Sequence, residues 1–201
     1  MSLLPALSDV QLCSSSPKSS LAIALDILFE HSPILTNTLE PQLHSALEST
    51  SLNSWTQLVE LSLREIAKWD ASAQAEFIAG HPRIGESSNL SKLSASEQGA
   101  VGAKPTPPEV LARLAHLNGL YEIKYPGLRY ITFVDGRSRA AVADEMEGVL
   151  GVPHSLPPDE PIPESIVPVE VGSKEWKEEL DRAVADIGRI AKSRLAAMGV
   201  E

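Results

Sequence analysis

The chain has 201 residues, 43% of them hydrophobic, and carries a formal net charge of −10 at pH 7. That length suits one domain with a real core, while the acidic balance argues against a nucleic-acid partner or an anionic membrane surface, both of which call for a basic patch. A single cysteine, Cys13, excludes an intrachain disulfide, and five scattered histidines show no zinc spacing, so no metal site is expected.

Residues 1–19 are rich in Ser and Pro and predict a loosely ordered arm; residues 20–201 predict one helical domain. Ser20 to Phe29 reads as a helix, with Leu21, Ala24, Leu25 and Leu28 on one face. Ile34 to Leu47 predicts a partial helix interrupted at Pro41. Ser54 and Gln57 form a capping-box pattern ahead of a helix to about Trp69. Ala71 to Ala79 predicts a short helix that stops at Gly80, taken as a left-handed C-terminal glycine.

A helix from Thr106-Pro107-Pro108 to about Tyr125 follows, with Pro tolerated in its first turn. Asn118 falls on its apolar stripe and needs partners, either a nearby backbone or a substrate. Leu128 to Val134 is β-rich but alone, so an extended segment threaded among helices is expected near 128–134. Without a ladder, some of its backbone groups are left for a ligand. Ser138 to about Leu150 returns to helix. Gly151 to Gly172 holds six of the fifteen prolines and predicts a surface excursion. Ser173 caps a last helix, whose apolar stripe includes Arg194. A guanidinium there needs a carboxylate or an anionic ligand, or must reach solvent at a frayed end. The fold class predicted is all-α, a single-domain helical bundle.

The most informative stretch is Gly80 to Gln98. His81 sits before Pro82, which keeps its backbone out of the helical region. Ser94 and Glu97 form a second capping-box pattern, which would put Glu97 and Gln98 in a first helical turn that favours anions. Taken singly, His81 reads as a turn residue and Glu97 as a cap. Together they place an acid/base group and a carboxylate within nineteen residues.

No apolar run approaches the ~20 residues of a membrane span, and the N-terminus lacks the basic and apolar regions of a signal peptide. The expectation is an intracellular protein without a membrane partner, cytoplasmic or peroxisomal. Its C-terminus, Gly199-Val200-Glu201, is not a Ser-Lys-Leu address.

His81-Pro82, Ser94-x-x-Glu97-Gln98, Leu117-Asn118-x-x-Tyr121-x-x-Lys124-Tyr125, the run through Phe133, and Ile190-Ala191-x-x-Arg194-Leu195 occur in this order. The set resembles the OHCU decarboxylase family of urate breakdown. The resemblance implies an all-helical, cofactor-free lyase. Its substrate would be a small anionic ureide, 2-oxo-4-hydroxy-4-carboxy-5-ureidoimidazoline, and its product (S)-allantoin. By matching position, His81 would be the catalytic acid/base and Glu97 the second catalytic carboxylate. Pro82, Ser94 and Gln98 would touch substrate, Arg194 would hold it, and Ile131, Thr132, Phe133 and Val134 would offer it backbone groups. Asn118 joins the candidate substrate contacts. A homodimer is compatible with the resemblance. Three departures stand out: Arg83-Ile84 follows His81-Pro82, Tyr125 to Tyr130 is one residue longer than the family's usual run, and the excursion from Gly151 to Gly172 is longer than the usual connection.

Two other readings fit the same residues. One is a non-catalytic helical interaction domain that keeps the fold. The other is an acid/base enzyme acting on a related ureide.

Overall fold

The computed structural model describes residues 4–12, 19–86, 91–97, 106–154 and 157–200, with the backbone alone for Lys92, Ser96 and Glu97. Among these residues there are nine α-helices and no strand. They are α1 (Leu7–Leu12), α2 (Ser20–Phe29), α3 (Glu40–Leu47), α4 (Trp55–Ile66), α5 (Ala71–Ala79), α6 (Lys92–Glu97), α7 (Pro108–Lys124), α8 (Arg139–Leu150) and α9 (Lys174–Ala197). The chain is all-α, as its periodicity predicts. The segment 128–134 is neither helix nor strand.

Local side-chain chemistry sets most of the helix starts. Ser19, Ser54, Asp70 and Ser138 have extended backbones, and each side chain accepts from the N–H three residues on. Each such cap satisfies one of the N–H groups that a helix start leaves unbonded, worth about 1 kcal/mol against Ala. Ser173 does the same for α9 by accepting from the Trp176 N–H.

The chain forms two compact units, Met1–His81 with Val184–Glu201, and Pro82–Ala183. In the first unit, Leu21, Ala24, Leu25 and Leu28 of α2 are buried, as their spacing predicts, together with Leu58, Val59, Phe77, Ile187 and Ala191. Each fully buried large apolar side chain contributes about 1.5–3 kcal/mol. Phe77 is the hub of an aromatic cluster, with Phe29 at 5.8 Å and Trp69 at 6.1 Å, both edge-on.

Two expectations for this unit need correcting. Part of the supposed loose arm is α1, whose Val10 is buried, as is Leu4 before it. Pro41 does not interrupt its helix either. A π-helical turn, Leu35–Leu39, runs into α3, and the Glu40 N–H donates to the Leu35 carbonyl five residues back. Pro41 thus falls in the first turn of α3, where its missing N–H is not needed.

In the second unit, α7 packs against α8, and Leu114, Leu117 and Tyr121 of the one and Val142, Met146 and Leu150 of the other are buried. Between them lies a buried ion pair. Arg113 donates to Glu147 Oε1 through Nε at 2.7 Å, with Nη2 at 2.6 Å. The excursion at 151–172 is a surface feature, exposing Ile162, Val167 and Val171. It is also tied down. The Val169 N–H donates to the Lys124 carbonyl at 2.7 Å, and Arg113 donates to the carbonyls of Pro157 and Glu160. The Arg113 guanidinium and the Lys124 backbone carbonyl thus supply partners to a proline-rich segment that makes no ladder of its own.

Candidate active site

The His81 turn is built from two contacts that local sequence does not reveal. Gly80 has φ −66 and ψ −24, a right-handed conformation, so the expected left-handed glycine is not there. Glycine is needed instead for close approach: a Cβ at position 80 would lie 2.9 Å from Ser32 Cβ. The Gly80 and His81 N–H groups then close the helix end on the Phe77 and Ile78 carbonyls, at 3.2 and 3.1 Å. His81 is only 3% exposed. Its ring meets Phe77 edge-on, with centroids 6.2 Å apart. The turn therefore holds an imidazole in one orientation inside the first unit. Imidazole is the side chain best suited to proton transfer near neutral pH.

The start of α6 also differs from expectation. Ser91 is its cap: the Ser94 N–H donates to Ser91 Oγ at 3.0 Å, and the Ala95 N–H to the Ser91 carbonyl. Ser94 is therefore inside the helix, and it is buried. Glu97 is the last residue of α6 and not part of its first turn. The capping-box reading of Ser94 and Glu97 falls with that placement, because Ser91, three residues earlier in the same serine-rich tract, is an equally good start. Gln98 and the Glu97 side chain lie outside the described residues.

The second unit begins at Pro82 and turns at once. Gly85 has φ 85, where glycine alone is at ease. Asn118 Nδ2 donates to the Ile84 carbonyl at 3.0 Å and to the Leu114 carbonyl at 2.7 Å. The amide that sequence left open between backbone and substrate thus ties the turn to α7. Beside it runs a cleft of about 490 Å³, lined by Arg83, Ile84, Gly85, Glu86, Ala115, Asn118, Gly119 and Glu122. Arg83 grips Glu122 in a two-bond fork, Nε to Oε1 at 2.7 Å and Nη2 to Oε2 at 3.0 Å. That pairing holds the Arg83 guanidinium above its ordinary pKa.

The segment 128–134 offers fewer carbonyls than expected. Arg182 Nη1 donates to the Ile131 carbonyl at 2.8 Å, and Arg137 donates to those of Phe133 and Val134. Thr132 donates its hydroxyl to Glu145 at 2.9 Å. Arg182 is itself held by Glu179, which also accepts from the Tyr121 hydroxyl at 2.6 Å. Burial and the adjacent Glu179 carboxylate push the Tyr121 hydroxyl well above its ordinary pKa. Sequence reasoning missed Arg137, Glu145, Glu179 and Arg182. The only local signal was the spacing of Glu179 and Arg182, three apart on a helix.

Arg194 is 2% exposed, and its counter-charge is within the first unit. Nη2 donates to Glu30 Oε1 at 2.6 Å, and Nη1 donates to the Ile27 and Leu28 carbonyls at the end of α2. The arginine on the apolar stripe thus has a counter-charge within the protein.

Asp144, Glu147 and His154 bring ligand-type atoms within 4.8 Å of one another. Arg113 already places its positive charge on Glu147, which opposes a cation there.

A family model for OHCU decarboxylases matches residues 14–153. The chain belongs to the OHCU decarboxylase family. The match spans His81, Pro82, Ser94, Glu97, Gln98, Asn118 and the segment 131–134, and stops before Arg194. No curated protein matches the chain. Family membership supports a decarboxylating role in urate breakdown. No helix among the described residues is long and apolar enough to cross a membrane.

Proposed function

We propose that this chain is a carboxy-lyase that converts 2-oxo-4-hydroxy-4-carboxy-5-ureidoimidazoline to (S)-allantoin. The observation that supports it most is the family match across His81, taken with the burial of that imidazole on a tightly closed turn. The carbon–carbon bond to the carboxylate breaks and CO₂ leaves. The electron pair stays on the ring carbon, delocalised into the neighbouring imine or carbonyl. A proton then adds to one face. The substrate supplies its own electron sink, so the protein's work is to hold the anion, stabilise the developing charge and deliver that proton. His81 is the acid/base. Glu97 acts near the departing carboxylate or orients the ureido nitrogens. Pro82, Ser94, Gln98, Asn118 and the segment 131–134 shape the substrate's surroundings.

The test begins from urate. Uricase and hydroxyisourate hydrolase generate the substrate in the cuvette. Adding this chain should speed the appearance of the circular-dichroism signal of (S)-allantoin, and a chelator should not slow it. Racemic allantoin formed at the uncatalysed rate would remove the decarboxylase reading.

Glu97→Gln probes the charge at that position. The cap of α6 is Ser91, so a capping role no longer explains Glu97. We expect turnover to drop by about tenfold or more, within the range for a group acting in acid–base or electrostatic catalysis, with the melting temperature unchanged. Wild-type turnover in this variant would remove the Glu97 charge from the chemistry.

A further inference from the structure

The segment 131–134 owes its course to side chains outside it. From α9, Arg182 engages the segment with a guanidinium that is itself held. Nε and Nη2 form a two-bond fork on Glu179, at 2.9 and 2.7 Å, and Nη1 donates to the Ile131 carbonyl at 2.8 Å. Glu179 is fixed in turn by the Tyr121 hydroxyl of α7, at 2.6 Å. The guanidinium also lies over the Tyr130 ring, 5.4 Å from its centroid. Arg182 cannot swing without breaking the fork, so the Ile131 carbonyl is tied to a rigid donor.

Stability alone does not call for this network. The Glu179 side chain is 10% exposed and that of Arg182 32%. Taking such groups out of water costs about what their attraction returns, and apolar residues of similar size often fill such a place equally well. An apolar trio would, however, leave the Ile131 carbonyl without its donor. The network's particular contribution is the geometry of one peptide group.

That peptide joins Ile131 to Thr132. In a planar trans peptide the carbonyl and the following N–H point in opposite directions. With the Ile131 carbonyl turned to Arg182, the Thr132 N–H is turned away from it. Among the described residues, that N–H has no protein acceptor. Arg137 acts likewise on the next peptide but one, drawing the Phe133 carbonyl to its Nη2 and so directing the Val134 N–H.

We propose that Arg182 is a positioning residue for the decarboxylase: by fixing the direction of the Thr132 N–H, it lets the segment meet the substrate with a donor already aimed. Binding is strengthened because the peptide's orientation is set before the substrate arrives. The substrate's part in this rests on the decarboxylase reading; the orientation of the peptide does not.

Two variants test it. Arg182→Lys keeps the positive charge beside Glu179, but an ammonium lacks the fork that serves carboxylate and carbonyl together. Removing Arg182 alone would strand a buried carboxylate. The second variant therefore replaces the network as a whole, with Tyr121→Phe, Glu179→Met and Arg182→Met. Both should stay folded, the triple variant melting within a few degrees of wild type. In each, KM for (S)-allantoin formation should rise about tenfold, the scale of one hydrogen bond. Turnover at saturation should stay within about threefold, the pattern of a contact made alike in ground and transition states. A further readout needs no turnover. The one-bond N–H residual dipolar coupling of Thr132, measured in the weakly aligned full-length chain, should change in the triple variant, while those of Val142 and Met146 in α8 stay as they are.

Wild-type KM in either folded variant would overturn the proposal, as would a fall in kcat at unchanged KM. So would an unchanged Thr132 coupling in the triple variant. A wild-type chain that forms (S)-allantoin no faster than the uncatalysed rate would remove the decarboxylase reading by itself, and the Thr132 coupling would still decide whether Arg182 sets the peptide.

Discussion

His81→Asn is expected to lower turnover by about 100-fold or more, the usual scale for loss of a general acid/base. Asn keeps hydrogen-bonding capacity but cannot exchange a proton near neutral pH. The fold should survive. The turn is closed by backbone bonds to the Phe77 and Ile78 carbonyls and by the space at Gly80, none of which uses the imidazole. The losses include edge-on packing on Phe77 in a position that is 3% exposed. A smaller side chain there should cost about 1 kcal/mol, a typical value for a point substitution, which moves the melting temperature by a few degrees. The measurement pairs initial rates of (S)-allantoin formation at saturating substrate with a thermal melt. An Asn variant within twofold of wild-type turnover would make the imidazole a packing group.

The contrast between His81 and Gly80 shows what kind of information sequence carries. That His81 lies on a stiff turn was legible, because Gly80 and Pro82 bracket it. The reason for Gly80 was not, because the side chain it must avoid, Ser32, is brought there by tertiary packing. Caps behave the same way. Ser54 and Ser173 act where they are read. Ser94 does not, because Ser91 competes for the same role and the local rule cannot choose. The segment 128–134 was recognisable as non-helical. Its carbonyls were expected to be open because the guanidinium groups of Arg137 and Arg182 are invisible to a search for a strand partner. In each case the residue type states a need, and only the fold names the partner.

Arg194 states such a need most strongly, and its replacement gives the last prediction. Arg194→Met should destabilise the chain by about 3–5 kcal/mol, the cost of leaving one partner of a buried pair uncompensated. The group left behind is Glu30, whose side chain is 12% exposed. Glu30 also carries φ 63 and ψ 146, a backbone conformation that suits glycine. Such a conformation costs roughly 1–3 kcal/mol and persists only where surrounding contacts hold it. The Arg194 guanidinium supplies that hold, reaching the Glu30 carboxylate and the two last carbonyls of α2 at once. Arg194→Lys keeps the charge, but an ammonium lacks the planar fork that spans carboxylate and carbonyls together, so it should recover only part of the loss. Glu30→Gly removes both the strain and the carboxylate, and in that background Arg194→Met should cost markedly less. Denaturant unfolding of the four proteins measures this coupling. An Arg194→Lys protein that melts with the wild type yet captures substrate poorly would reverse the assignment. It would give the guanidinium back to the substrate and leave Glu30 as a bystander.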